Sequence, residues 1–254
     1  MELSGLKTKI IGKRILFVEE LDSTNDEAWR LVRRGENEGT VVVAASQLKG
    51  RGRMDRRWIS PPGGVYLSIV LKPYISPSKL PIITLLSAVA VVRTIRGLTK
   101  LDASVKWPND IVMSGKKAGG ILCEAMKNVV TVGIGINLNT NLGLFPSSLK
   151  KQMTSIKFEL GSNVEREGFI KILLEEFDKL YRDFLHHRQE EIVSEWSNYS
   201  QTLGSLVKIE TTKGTIGGFA EKIGARGELR VRGYDGKISK VFSGDVIKVE
   251  QEHS

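Results

Sequence analysis

Cysteine is almost absent, Cys123 being the only one in 254 residues. A single thiol cannot close an intramolecular disulfide, and thiolate zinc sites need several, so neither device is expected to hold this fold. Cys123 lies in the apolar stretch GGILCEA, which reads as a buried structural thiol. Histidine is also scarce, at three, and His186 and His187 fall on an amphipathic stretch where surface placement is expected. No run reaches the roughly 18 uninterrupted apolar residues of a membrane span. The opening MELSGLKTKIIGKRILFVEE lacks the long apolar core and small-residue cleavage site of a secretory leader. A cytoplasmic protein with no membrane partner is the expectation. No Pro-rich linker, internal repeat or low-complexity tract interrupts the chain.

What remains is an ordinary globular composition, 41% hydrophobic and 26% charged, too apolar for disorder. The length suits one substantial domain plus a small satellite, with the boundary expected between residues 1–202 and 203–254. A formal net charge of +9 implies an anionic partner, whether nucleotide, acidic protein or nucleic acid. In LLEEFDKLYRDFLHHRQEE the charges are interleaved and read as a solvated helix face. In KGRGRMDRR the positive charge is nearly uncompensated.

Arg14 to Val18 reads as a strand, and the Thr-x-x-Glu spacing within Ser23-Thr24-Asn25-Asp26-Glu27 reads as a capping box opening a helix to about Arg34. TVVVAA (40–45) and VYLSIVLK (65–72) are strand-like. Residues 78–97 form a long apolar helix expected to end at Gly97. ASVKW, DIVM, KAGGILCEAM and VVTVGIGINLN follow with connections too short for crossover helices, which predicts mainly antiparallel neighbours. Ile170, Leu173, Leu174, Phe177, Leu180, Tyr181 and Phe184 form one stripe on a helix over 167–187, and a second helix carries Ile192 and Trp196. From about Leu203 five short strands separated by glycines predict a small barrel.

Three motifs carry chemistry. Gly50-Arg51-Gly52-Arg53, continuing to Arg56, Arg57 and Trp58, lets backbone fold closely while guanidinium groups converge, as an anion clamp requires; a mobile basic surface loop has the same composition. In Lys106-Trp107-Pro108-Asn109-Asp110, Pro108 should hold Trp107 extended. A turn at Ser114-Gly115 then sets Val112 opposite Lys117, so that Asp110 and Lys117 share a face at diagonal distance. A plain surface ion pair would have that pattern too. Gly133-Ile134-Gly135-Ile136-Asn137 places glycines where a ligand approaches closely or where a strand bulges.

Taken in order, Ser23-Thr24-Asn25, Gln47, GRGRxxRxW, KWPND, KxGGIL and GIGIN resemble the catalytic domain of biotin-protein ligases, and the C-terminal β unit is similar to their small SH3-like domain. The resemblance covers essentially the whole chain. It implies an α+β fold with a mixed, mainly antiparallel sheet and helices, of the class II aminoacyl-tRNA-synthetase-like kind, plus a small SH3-like β-barrel. It further implies ATP-dependent formation of biotinyl-5'-AMP and transfer of biotin to a lysine of a biotin carboxyl carrier protein, with Mg²⁺ accompanying ATP.

Carried over by motif position, Ser23, Thr24, Asn25, Gln47, Arg51, Gly119 and Gly120 are expected at biotin. Arg53, Arg56, Trp58, Lys106, Asn109 and Asn137 are expected at ATP. Arg51, Arg53, Lys117 and Asp110 form the expected catalytic set, and Asn109 and Asp110 are the candidates to help position Mg²⁺. Met54-Asp55 departs from the commonest loop, in which a glycine often follows the second arginine by two positions. About thirteen residues precede the first strand, which leaves no room for the DNA-binding helix-turn-helix of regulatory members, so an enzyme without DNA as partner is expected. A homodimer through an exposed sheet edge is a family expectation. Lipoate-protein ligase is the alternative enzyme, and a basic nucleic-acid-binding module is the alternative of another class.

Overall fold

The computed structural model describes residues 3–248. Twelve strands and six helices follow in chain order: β1 (Arg14–Leu21), α1 (Thr24–Arg33), β2 (Thr40–Gln47), β3 (Val65–Leu71), α2 (Leu80–Thr99), β4 (Ser104–Lys106), β5 (Asp110–Met113), β6 (Lys116–Met126), β7 (Val129–Ile136), α3 (Ser147–Lys150), α4 (Ile156–Leu160), α5 (Arg166–Leu185), α6 (Gln189–Asn198), β8 (Leu206–Thr211), β9 (Gly214–Ile223), β10 (Leu229–Arg232), β11 (Ile238–Val241) and β12 (Asp245–Lys248). The first seven strands form one sheet in the order β1-β2-β3-β7-β6-β5-β4. Only β1 and β2, joined through α1, are parallel; every other neighbour is antiparallel. The α+β architecture with a mainly antiparallel sheet is therefore as expected.

Alternation along the strands divides the sheet into two chemically different faces. On β7, Val130, Val132, Ile134 and Ile136 are buried and point to the side covered by α2, while Gly133 and Gly135 point the other way, toward α1. β3 repeats the division in register, Ser68 pairing with Gly133 and Tyr66 with Gly135, while Leu67 and Ile69 face the core. Helix α2 is apolar nearly all round because it is sandwiched between the sheet and α5 and α6. Helix α5 adds Phe169, Ile170, Leu173, Leu174, Phe177, Leu180, Tyr181 and Phe184 to that core, the stripe that its spacing predicted.

Two helix ends differ from expectation. The cap of α1 is Ser23, whose hydroxyl accepts from the Asp26 N–H, and not Thr24, which turns inward to Gln47. Helix α2 runs through Gly97 to Thr99 and stops at Lys100, which takes the left-handed conformation at φ 63° while its N–H still donates to Arg96 O.

The C-terminal strands form a separate five-stranded antiparallel sheet, β11-β10-β9-β8-β12, with β11 and β12 at its edges. Residues 249–254 of the expected C-terminal unit lie outside the described residues. The turn between β4 and β5 touches the turn between β9 and β10, the Trp107 indole N–H lying 3.4 Å from Gly227 O, and the Trp107 backbone N–H donates to the hydroxyl of Thr202 in the connection before β8 at 2.9 Å; the Trp107–Pro108 bond is cis.

Candidate active site

The α1-facing side of the sheet, the loop 48–60 and β12 enclose a cleft of about 800 Å³. Its floor is made of backbone. A Cβ on Gly133 would stand 2.5 Å from Asn25 Oδ1, and one on Gly135 would stand 2.5 Å from Trp58 Nε1. Glycine is required at both positions for the close approach of the neighbouring side chains, so the packing reading of GIGIN holds. Trp58 lies across β6 and β7 as a wall, its indole N–H buried without a hydrogen-bond partner, and the Lys117 ammonium stands 5.4 Å from the ring.

One end of the cleft is polar and neutral. The Gln47 side-chain carbonyl accepts from the Thr24 N–H at 2.8 Å and the Thr24 hydroxyl at 3.1 Å, while its amide donates to Ser60 at 2.8 Å. The Ser68 hydroxyl donates to Asn25 Oδ1 at 2.5 Å and stands 2.8 Å from the Thr24 hydroxyl. Ser23, Thr24 and Asn25 are buried yet line the cleft, so this end offers hydrogen bonds to an uncharged polar group in dry surroundings.

The other end is charged. Lys117 Nζ is 2.5 Å from Asp110 Oδ1, as the hairpin register predicted. Val112 does face Lys117, but a one-residue register shift follows, so that Ile111 pairs with Gly119 and Asp110 with Gly120. The extra residue on β6 is why Lys117 and Gly120, three apart, share a face. Lys117 is also pinned through its backbone: its N–H donates to Gln152 O at 2.8 Å and its carbonyl accepts from the Thr154 N–H at 2.9 Å. Arg53 Nη1 is 3.2 Å from Asn109 Oδ1 and 3.3 Å from Gly244 O. Burial lowers the Arg53 pKa below the ordinary arginine value, while Asp245 and Asp110 pull it upward; the group stays cationic at neutral pH. Arg56 pairs with Asp245, and Lys106 completes the charged rim.

The structure moves two expected site residues out of the cleft. Gly119 falls on the core face, where a Cβ would meet Ile136 at 2.5 Å and Gly135 O at 2.8 Å, a direct result of the register shift. Asn137 is fully buried, its backbone N–H bound to Ala118 O and its side-chain amide to Thr154 O at 3.0 Å; it braces the two segments that hold Lys117. Arg51 stays at the cleft but is already engaged, with Glu124 at 2.7 and 2.9 Å and Asp26 at 2.8 Å. Burial works against its charge, and the two carboxylates more than offset that, raising its pKa.

Sequence reasoning missed Glu124, Asp26, Asp245 and the segment 149–153, all of which are brought to this cleft or to the arginines lining it. Glu124 follows the GGIL motif at an alternating strand position, a signal that could have marked it. Residues 149–153 carry none, since they form only a loop and a single turn of helix.

Against known proteins, residues 17–141 match the Biotin/lipoate A/B protein ligase family. The bifunctional ligase/repressor BirA of Bacillus subtilis is 39% identical over 248 residues, which is 95% of this chain and 76% of that protein. The chain belongs to the biotin-protein ligase family. Another relative of this family, the biotin--[acetyl-CoA-carboxylase] ligase of Paracoccus denitrificans, is 30% identical over 88% of this chain and 98% of its own. Among solved structures, the biotin protein ligase from Aquifex aeolicus in complex with biotin and ATP superposes with a TM-score of 0.83 at 29% identity, covering 93% of this chain and 99% of that one.

Proposed function

We propose that this chain is an ATP-dependent biotin-protein ligase: it condenses biotin with ATP to biotinyl-5'-AMP and pyrophosphate, then transfers the biotinyl group to a lysine of a biotin carboxyl carrier protein and releases AMP. One observation carries the reading. A single cleft joins a neutral hydrogen-bonding end at Ser23, Thr24 and Gln47 to a cationic end at Lys117 and Arg53, which is what a polar uncharged ring bearing an acidic tail needs. The carrier protein as acceptor is supported by the name of the Paracoccus relative.

In the first step a biotin carboxylate oxygen attacks the α-phosphorus and pyrophosphate leaves, so charge grows on phosphoryl oxygens. Lys117 bonds the reacting carboxylate, and Arg53, held by Asn109 and Gly244 O, bonds the phosphates; both are fixed before reaction, which is where electrostatic stabilisation is strongest. In the second step the acceptor amine attacks the mixed anhydride and AMP leaves. That amine must lose a proton, and Asp110, already beside Lys117, is the carboxylate that can orient it. Trp58 covers the reacting atoms and excludes water.

Mg²⁺ belongs to this proposal only as a companion of ATP. Among the described residues no group of three His, Cys, Asp or Glu gathers as a metal site; Asp110 is shared with Lys117, and Asn109 Oδ1 with Arg53. Such a donor set fits an ion that is carried mainly by phosphates and water, with Asp110 or Asn109 as a single protein contact.

Pyrophosphate release measured with ATP and either biotin or lipoate tests the assignment. Release with biotin and not lipoate is expected; turnover with lipoate alone would replace biotin as the acid.

A further inference from the structure

Among the described residues Arg51 is the loop arginine that two carboxylates engage, where Arg56 has only Asp245. Glu124 grips it with both oxygens, Oε1 to Nη1 at 2.7 Å and Oε2 to Nη2 at 2.9 Å, and Asp26 adds a third contact at 2.8 Å. Two carboxylates around one guanidinium leave that spot net negative, which is a poor place for a phosphate and a good place for a fastener. Glu124 also accepts from the Asn25 side-chain amide at 2.8 Å. From Asn25 the polar contacts run through Ser68 to Thr24, Gln47 and Ser60, and Ser60 returns to the loop by donating to Trp58 O at 3.2 Å. The circuit closes: the base of the loop is fixed through Ser60, its Arg51 limb through Glu124, and the neutral end of the cleft lies between them.

We propose that Glu124 is a positioning residue that fastens the arginine loop to β6 through Arg51 and ties the order of that loop to the polar groups at the neutral end of the cleft. Glu124 touches neither reacting atom. It acts by holding Asn25 and Arg51, so a ligand at Ser23, Thr24 and Gln47 meets hydrogen-bond partners already aligned beside a loop held at Arg51. The kinetic side of the proposal rests on the ligase reading; the fastening itself does not.

Limited trypsinolysis of the free, full-length protein reads the fastening directly, since the loop presents Arg51, Arg53, Arg56 and Arg57 to the protease. Glu124→Gln, isosteric but uncharged, is expected to be cut in the loop about two- to fivefold faster than the wild type, the range for a partly exposed pair. Glu124→Asp, keeping the charge, is expected to fall between the two. In pyrophosphate release the same order should appear in KM for biotin, with kcat within about twofold, since the transition-state cations Lys117 and Arg53 are untouched. Loop cleavage at the wild-type rate in Glu124→Gln overturns the fastening, and an unchanged KM overturns its tie to the ligand end. If the wild type released no pyrophosphate with biotin, the ligase reading would fall, while the cleavage comparison would still decide the fastening.

Discussion

Lys117 Nζ and Asp110 Oδ1 are 2.5 Å apart on one face of the β5–β6 hairpin, beneath the indole of Trp58. The ammonium is thus oriented by a carboxylate and backed by an aromatic face before any ligand arrives. On the proposed role, in which its charge answers negative charge that develops during adenylation, Lys117→Ala is expected to lower kcat for biotin-dependent pyrophosphate release by about 10²- to 10³-fold. Near-wild-type release in a folded Lys117→Ala protein would remove Lys117 from the reaction.

Arg53 is held from two sides, by Asn109 in the turn between β4 and β5 and by Gly244 O just before β12. Its fork suits phosphate oxygens, so Arg53→Ala should lower kcat/KM for ATP about 10- to 100-fold, the range for charged hydrogen bonds. Arg53→Lys should recover little, because a lysine is a point charge and cannot span the same pair of partners. ATP titrations at saturating biotin measure this, and full recovery by lysine would mean that charge alone, not the fork, matters.

The site was legible wherever a short-range rule governs it. Alternation on β7 separated Gly133 and Gly135 from Ile134 and Ile136, and turn geometry at Ser114-Gly115 was enough to set Asp110 beside Lys117. What stayed hidden depends on a single residue of register or on distant chain. The bulge at Ala118, invisible in KKAGGIL, turned Gly119 inward and Gly120 outward. The contact of Lys117 with Gln152 and Thr154, and that of Arg56 with Asp245, join segments 35 and more residues apart, which no local pattern specifies.

Gly135 tests whether Trp58 is a wall or mere filling. A methyl group at Gly135 would stand 2.5 Å from Trp58 Nε1 and 2.8 Å from Cε2, and a rigid indole cannot yield at its far end as a lysine would. Gly135→Ala should therefore tilt Trp58 off the floor, at a stability cost of about 1–3 kcal/mol typical of overpacking. Trp58 fluorescence should shift to longer wavelength as the indole meets water, with a parallel rise in KM for biotin. An unchanged emission spectrum and KM would show that the wall accommodates the methyl group.

Asp178 makes the pH dependence of stability predictable. On α5, it accepts from the backbone N–H groups of Lys9, Ile10 and Ile11 at 3.2, 2.7 and 2.9 Å and from Arg182 Nε at 3.0 Å, docking the segment before β1 onto the core. Burial acts to raise the carboxyl pKa, but the N–H donors and Arg182 outweigh it, and the folded value lies below the ordinary one. The unfolded chain therefore takes up a proton here before the folded one does. The stabilisation is complete above the unfolded pKa of about 3.9 and is lost as pH falls through the lower folded value. Asp178→Asn removes the charge and half of the acceptor capacity, leaving buried N–H groups short of partners, and should cost roughly 1–3 kcal/mol near neutral pH. Because protonated Asp178 resembles the amide, that gap should narrow in urea unfolding carried out below about pH 4. A gap of equal size at both pH values would mean that packing, and not the carboxylate charge, ties the N-terminal segment down.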